Sequence, residues 1–178
     1  MEENTLINRV DQSGILTIDL EQMYPTTPVA SFDLKDHLFH GLILKEKDFR
    51  EALKSHDWQK YAGSVLCVYC STDAIIPVWA YMLVSSYAVP VAHAVYNGTP
   101  TEWLRAYYHQ AVQNMDATLY AGKRIVIKGC SHKEVPTSAY TDVTALLQPL
   151  AQSIMYGEPC STVPIFKRPR VLENSGES

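Results

Sequence analysis

The chain has 178 residues, of which 47% are hydrophobic and 19% charged, and its formal net charge is −4. This length and composition suit one folded domain with a packed interior and do not match a disordered chain. Lysine and arginine are mostly scattered singly, apart from the adjacent Lys123 and Arg124 and the cluster of Lys167, Arg168 and Arg170 near the end. The sequence therefore predicts no basic surface for nucleic acid.

The start of the chain and its longest apolar run argue against export and membrane insertion. The first residues, Met1-Glu2-Glu3-Asn4, are acidic and polar, whereas a secretory signal begins with basic residues and continues with an apolar run. The longest apolar stretch, from Ile75 to Val84, is far shorter than the ~20 residues that span a bilayer. We therefore expect a soluble cytoplasmic protein whose four cysteines are reduced thiols.

The first third of the chain predicts short strands followed by a helix. Ile15 to Leu20 and Val29 to Leu34 are predicted strands, joined by the turn-prone residues 24–28 as a hairpin or placed as edge strands. Phe39 to Leu44 is a further predicted strand. Lys45 to Leu53 is predicted to be a helix because two of its apolar residues lie four positions apart.

The remainder alternates short β-branched runs with longer helical patterns, as βαβ units of a parallel sheet do. The predicted strands are 64–70, 90–96, 124–129 and 152–157. The predicted helices are 77–88, 100–114 and 136–152, each opened by a proline, which suits a first helical turn. Thr99 and Glu102 add a capping-box pattern. We predict a single α/β domain over residues 1–168, with a mainly parallel, mixed-edge sheet flanked by helices, and a disordered tail over residues 169–178.

Three Cys-Ser steps follow predicted strands: Cys70-Ser71, Cys130-Ser131 and Cys160-Ser161. A Pro-x-x-Ala-Tyr helix start comes after the first two, at Pro77 and Pro136, and the third copy is partial. Ligands of open α/β sheets bind outside the carboxyl ends of the strands. We therefore predict that Cys70, Cys130 and Cys160 converge at one edge of the sheet.

Three thiolates with an open fourth position suit zinc or an iron–sulfur cluster, because both prefer sulfur ligands. A nearby helix N-terminus favours the thiolate form that binds metal. Asp73, His132 and Glu158 lie in the same predicted loops as the three cysteines, so each is a candidate fourth ligand or proton donor.

Two other patterns are weaker metal candidates. Cys67 forms a Cys-x-x-Cys pair with Cys70, but it falls inside a predicted strand, where residues three apart point to opposite faces. Cys67 is therefore predicted to fill the core. His37 and His40 have the i, i+3 spacing of a helical metal pair, but their segment lacks a third ligand.

Two alternatives to a metal site stay open. The chain could be a non-catalytic scaffold or interaction module, a homodimer in which the cysteines are buried and inert, because free cysteine is often buried. It could also be an enzyme with one activated cysteine as nucleophile, near His132 or Asp73. Glycine-rich phosphate loops and Gly-x-Ser-x-Gly are both absent from the sequence, so nucleotide binding and lipase-type chemistry are unsupported.

Five strings of residues are long and unusual: Phe32 to Asp36, Gly41 to Arg50, Cys70 to Met82, Ile127 to Ser131 and Ser153 to Pro164. Through them the chain resembles, over nearly its whole length, the bacterial family known as domain of unknown function 2480. The family brings no assigned activity and no catalytic residues. Its genes tend to lie near iron–sulfur assembly genes, which implies a carrier or accessory role with assembly proteins as partners.

Overall fold

A computed structural model describes residues 8–9, 14–128, 132–158 and 161–169. The strands are β1 (Asn8–Arg9), β2 (Ile15–Ile18), β3 (Val29–Asp33), β4 (Val65–Tyr69), β5 (Ala94–Asn97), β6 (Arg124–Ile127), β7 (Ser153–Glu158) and β8 (Ser161–Lys167). The α-helices are α1 (Glu46–Ser55), α2 (Val78–Ala88), α3 (Pro100–Gln113) and α4 (Thr137–Leu147). Short 3-10 helices cover Leu20–Met23, Leu34–His37, Gln59–Tyr61 and Ala117–Tyr120. No helix in these ranges is long and apolar enough to cross a membrane.

The predicted α/β class is confirmed, and the strands divide between two sheets where the sequence pattern was interpreted as one. The first sheet has the order β1-β2-β6-β7-β8, with β2, β6 and β7 parallel and the two edge strands antiparallel. The second has the order β3-β4-β5 and is entirely parallel. The predicted hairpin between β2 and β3 does not form, because each pairs with a strand much further along the chain.

The chain separates into two compact units. Unit 1 comprises Met1–Tyr24 and Tyr107–Ser178 and holds the five-stranded sheet, and unit 2 comprises Pro25–Ala106 and holds the three-stranded sheet. The division between the two units falls within α3. The single domain over residues 1–168 stays a prediction, and residues 170–178 of the predicted tail lie outside the described ranges.

The two units repeat the same succession of elements at an offset of 59 residues, as from Tyr61 to Tyr120. Each has a helix, a 3-10 turn ending in Tyr-Ala-Gly, a strand, a loop, a helix opened by proline, and a further strand. The hydrogen bonds repeat as well. Gly63 N–H donates to the Val91 carbonyl at 3.3 Å, and Gly122 N–H donates to the Leu150 carbonyl at 2.9 Å. The offset therefore identifies structurally equivalent positions in the two units.

The helix starts follow the sequence signals. Pro77 and Pro136 adopt extended backbone at the N-caps of α2 and α4, whereas Pro100 is the first residue of α3. The capping box of α3 is present, since the Glu102 carboxylate accepts from the Thr99 N–H at 2.7 Å and the Thr99 hydroxyl accepts from the Glu102 N–H at 3.3 Å. Proline and a paired cap together explain why these boundaries were predictable.

The prediction and the structure differ at two elements, one predicted strand that does not form and one observed strand that was not predicted. Phe39 to Leu44 is not a strand but a tight turn, closed by an isolated bridge between Phe39 and Ile43 with His40 at a φ of 52°. Strand β8 was not predicted, because Pro164 argues against a strand interior. Proline is tolerated there because β8 is an edge strand, and the register with β7 shifts next to it.

An aromatic cluster fills the core of unit 2. Phe32 is 3% exposed and stacks on His37 and Trp58, with ring centroids 5.1 Å and 5.7 Å away. Burial lowers the pKa of His37 below its usual value. The helical spacing suggested for His37 and His40 does not form, because the 3-10 helix ends at the half-buried His37 and His40 lies in the turn that follows.

Candidate functional site

The three predicted cysteines follow strands of two different sheets. Cys70 comes directly after β4, in unit 2. Cys130 and Cys160 lie outside the described residues, three and two positions after β6 and β7 of unit 1. The expectation that all three thiols share the edge of one sheet is thus corrected, because β4 is not in the sheet of β6 and β7.

The loop that carries Cys70 is held by a carboxylate from the neighbouring strand. Asp33 ends β3 and is paired in register with Tyr69, the last residue of β4. Its Oδ1 accepts hydrogen bonds from the backbone N–H of Ser71 and of Lys35, both at 3.0 Å. The Cys70 Sγ lies 3.3 Å from the Thr72 hydroxyl within the same loop. Asp33 therefore fixes the backbone immediately beside the half-buried thiol.

The Asp33 carboxylate is stabilised in its charged form. Burial opposes ionisation, but hydrogen bonds from Ser71 and Lys35, together with the Lys35 ammonium 3.7 Å away, outweigh that opposition and hold the Asp33 pKa below its usual value. A carboxylate that accepts backbone N–H donors behaves in this way. The anchor of the loop is therefore charged at neutral pH.

Asp33→Asn is expected to lower the free energy of unfolding by about 1–2 kcal/mol at pH 7, because the amide oxygen still accepts from Ser71 and Lys35 but without the negative charge that strengthens these bonds. The folded pKa lies below the unfolded one, so the carboxylate stabilises the fold at neutral pH and loses that effect as pH falls below about 4. Urea unfolding of variant and wild type at pH 7 and pH 3 measures the difference, which should shrink in acid. Asp73→Asn, at an exposed carboxylate of the same loop, is the control and should change stability by less than about 0.5 kcal/mol.

Unit 1 contains a corresponding polar group after β2. Asp19 Oδ2 lies 3.3 Å from the Lys128 Nζ, next to the end of β6, and Glu21 Oε1 accepts from the His132 N–H at 3.1 Å. The hydrogen bond and charge of Asp19, followed by the charge of Glu158, raise the Lys128 pKa. Two of the predicted candidate ligands thus have neighbours near the carboxyl end of β6: the His132 backbone N–H bonds to Glu21, and the charge of Glu158 acts on Lys128.

Sequence reasoning missed the acidic anchors. Asp19 follows β2 and Asp33 ends β3; each precedes a buried leucine that opens a 3-10 helix, and each side chain caps that helix. The signal was present in the sequence as the similar strings Ile18-Asp19-Leu20 and Phe32-Asp33-Leu34. The likeness of these two strings is enough to identify both aspartates as equivalent residues.

The prediction that Cys67 fills the core is confirmed. It is fully buried in β4, and burial raises the pKa of its thiol to about 11. Cys70, in contrast, is only partly buried, and Asp73 is exposed. Within the described part of the chain, no group of three or more His, Cys, Asp or Glu side chains is arranged to hold a metal ion.

The fold defines an α/β protein built from two similar βα units, in each of which an aspartate at the end of a parallel strand caps a short 3-10 helix. The family described as "Protein of unknown function (DUF2480)" matches residues 4–168, and the chain belongs to this family. The resemblance seen in the sequence is thereby confirmed. No curated protein and no solved structure matches the chain.

Proposed function

We propose that unit 1 binds a thiophilic metal, zinc or an iron–sulfur cluster, through Cys130 and Cys160. The supporting observation is the pairing of β6 with β7. These strands are parallel neighbours, with Ile127 in register with Tyr156, so the chain leaves both at the same edge of one sheet. Cys130 and Cys160 come three and two residues after the ends of these neighbouring strands in the sequence.

The other donors at this edge suit such a metal. His132 and Glu158 would add an imidazole and a carboxylate to the two thiolates, a ligand set that zinc and iron both accept. The Asp19 carboxylate is engaged by Lys128 and is less suited to this role. A bound zinc would cross-link the two loops, and a cluster would supply a transferable or redox-active group. The second outcome fits a carrier or accessory of iron–sulfur assembly, with assembly proteins as partners.

Cys70 is not one of the two thiols of the proposed site. The sequence predicted it as the third thiol of the same site, but it follows β4 in unit 2. The proposal therefore rests on the two cysteines of unit 1, and a Cys70 variant distinguishes a two-thiol site from the three-thiol site that the sequence suggested.

The test is metal analysis and visible spectroscopy of protein purified anaerobically and reconstituted with zinc, or with iron and sulfide. Wild type should hold about one zinc ion or one cluster per chain, and Cys130→Ser and Cys160→Ser should each lower the bound metal roughly tenfold or more. Cys67→Ser is the matched control and should retain the metal. Retention by Cys70→Ser supports the two-thiol form, and loss supports the three-thiol form. A metal-free wild type, or full retention by both unit 1 variants, contradicts the proposal.

The alternative function is an interaction module with inert cysteines. The exposed apolar side chains of α2, such as Val78 and Met82, favour this alternative. Titration of the folded protein with a thiol reagent separates the two functions. The metal site predicts rapid labelling of Cys130 and Cys160 that added metal suppresses, whereas inert thiols react only after unfolding. Cys67 serves as the internal standard of an unreactive thiol, because burial raises its pKa to about 11.

A further inference from the structure

Helix α2 and the residues next to its two ends expose a stripe of large apolar side chains. Ile75 is 92% exposed, Val78 is 75% exposed, and Met82 and Val89 are each 67% exposed. Val78 and Met82 are four residues apart and Val89 follows seven later, which places them on one side of a helix. We call these four residues the α2 stripe.

The opposite side of the helix is apolar as well. Ala80, Val84 and Ala88 are completely buried against the core of unit 2. Between Val78 and Ala88 the helix contains no charged residue. A helix that is hydrophobic all round is usually covered on all sides, so the α2 stripe differs from an ordinary solvent-facing surface.

Helix α4 of unit 1 provides an internal comparison for the α2 stripe. At the offset of 59 residues, α4 repeats the opening proline, the Ala-Tyr pair and the buried face of α2, which in α4 is Ala139, Val143 and Leu147. The residues of unit 1 that correspond to the stripe are also exposed but are polar: Glu134, Thr137, Thr141 and Gln148.

The comparison shows that this fold does not require an apolar stripe. Two equivalent helices bury the same face by the same spacing, yet only α2 carries large apolar residues at the stripe positions. Exposed apolar patches of several hundred Å² are characteristic of interaction sites. The α2 stripe is therefore explained by a partner rather than by the packing of its own unit.

We propose that the α2 stripe is the interface of a homodimer, in which it packs against the α2 stripe of a second copy. The four side chains expose on the order of 500 Å², so a symmetric pair would bury about 1,000 Å², which is the lower limit of a specific interface. In a dimer with a twofold axis, the same surface of both copies forms the interface, so each apolar stripe contacts another apolar stripe.

The chemistry of the stripe favours a second copy over an unrelated partner. The stripe contains no charged side chain, so nothing in it selects a complementary charge. Homodimer interfaces are more apolar than those of transient complexes, which keep polar contacts because both partners also exist free. Unit 1 has Glu134 at the position that corresponds to Ile75. A glutamate at position 75 would bring two like charges together at the twofold axis, so an uncharged residue there agrees with self-association.

The decisive variant transfers the surface of α4 onto α2: Ile75→Glu, Val78→Thr, Met82→Thr and Val89→Gln. Light scattering after size exclusion, and sedimentation over a range of concentrations, report the mass. Wild type should have twice the 20.0 kDa mass of one chain, and the fourfold variant should be monomeric with an unchanged circular dichroism spectrum. Leu42→Thr with Ile43→Thr is the control, because these residues are also exposed and apolar but lie outside the stripe. It should stay dimeric.

A variant with one substitution tests the interface independently, in case the fourfold variant does not fold. Met82→Glu should raise the dimer Kd by roughly 100-fold, because two carboxylates would be buried near the axis. A monomeric wild type overturns the proposal, whatever else the stripe binds. So does a folded fourfold variant that remains dimeric, or dissociation of the Leu42 and Ile43 control to the same extent. None of these outcomes depends on metal binding in unit 1.

Discussion

Gly157→Ala is expected to lower the free energy of unfolding by more than about 3 kcal/mol, whereas Gly122→Ala should cost about 1–2 kcal/mol. Both glycines have positive φ, 123° at Gly157 and 66° at Gly122. Their surroundings differ, because a Cβ at Gly157 would lie 2.5 Å from the backbone oxygen of Ser161, and one at Gly122 would meet nothing within 4 Å. The backbone of Ser161 cannot move away from such a Cβ without disturbing the pairing of β7 with β8.

The position equivalent to Gly157 in unit 2 completes this series. Gly98 has a φ of 141°, and an added Cβ would lie 2.7 Å from the Tyr96 ring and 3.0 Å from the Glu102 carboxylate. Side chains can shift more cheaply than backbone, so Gly98→Ala should fall between the other two. Urea unfolding of the three variants measures the order. Equal losses at Gly157 and Gly122 would show that φ alone, and not the contact with Ser161, sets the cost.

The Gly157 variant also bears on the proposed metal site, because Gly157 precedes Cys160 by three residues. If the β7 to β8 connection must be intact to present that cysteine, a folded fraction of Gly157→Ala should bind less metal than Gly122→Ala at equal protein concentration. This readout separates a local effect on the connection from a general loss of stability.

Phe32→Ala is expected to lower the free energy of unfolding by about 3–5 kcal/mol, the cost of removing a buried aromatic side chain. Phe32 is almost fully buried, and His37, His56 and Trp58 all contact its ring. Removing it leaves a cavity that these rings cannot fill without losing their own stacking. Because Phe32 directly precedes Asp33, the variant should also loosen the anchor of the Cys70 loop.

Phe39→Ala is the matched control for the Phe32 prediction. Phe39 is 44% exposed, and it contacts the Lys45 ammonium, 3.1 Å from the ring centroid, and the His40 ring, 4.0 Å away between centroids. Its removal should cost about 1 kcal/mol or less. Denaturant unfolding followed by tryptophan fluorescence is suitable, since Trp58 stacks on Phe32. Similar losses in the two variants would contradict the central place of Phe32 in the cluster.

The sequence by itself determined the features that depend on neighbouring residues. The apolar spacing in α1, the prolines before α2 and α4 and the Thr99–Glu102 cap act within one or two turns, so these helices start near their predicted positions. Strand β4 and the burial of Cys67 followed from a short, continuous apolar run. Family membership followed from strings of adjacent residues.

The tertiary structure alone decided which strands share a sheet. Strand β2 pairs with β6, more than 100 residues later, and β3 pairs with β4 across α1. The anchor from Asp33 to Ser71 likewise joins residues 38 positions apart. A parallel strand exposes the same backbone groups to any partner, so no local pattern specifies the pairing. Pairing is set by packing of the whole chain, and it placed Cys70 in one unit and the strands before Cys130 and Cys160 in the other.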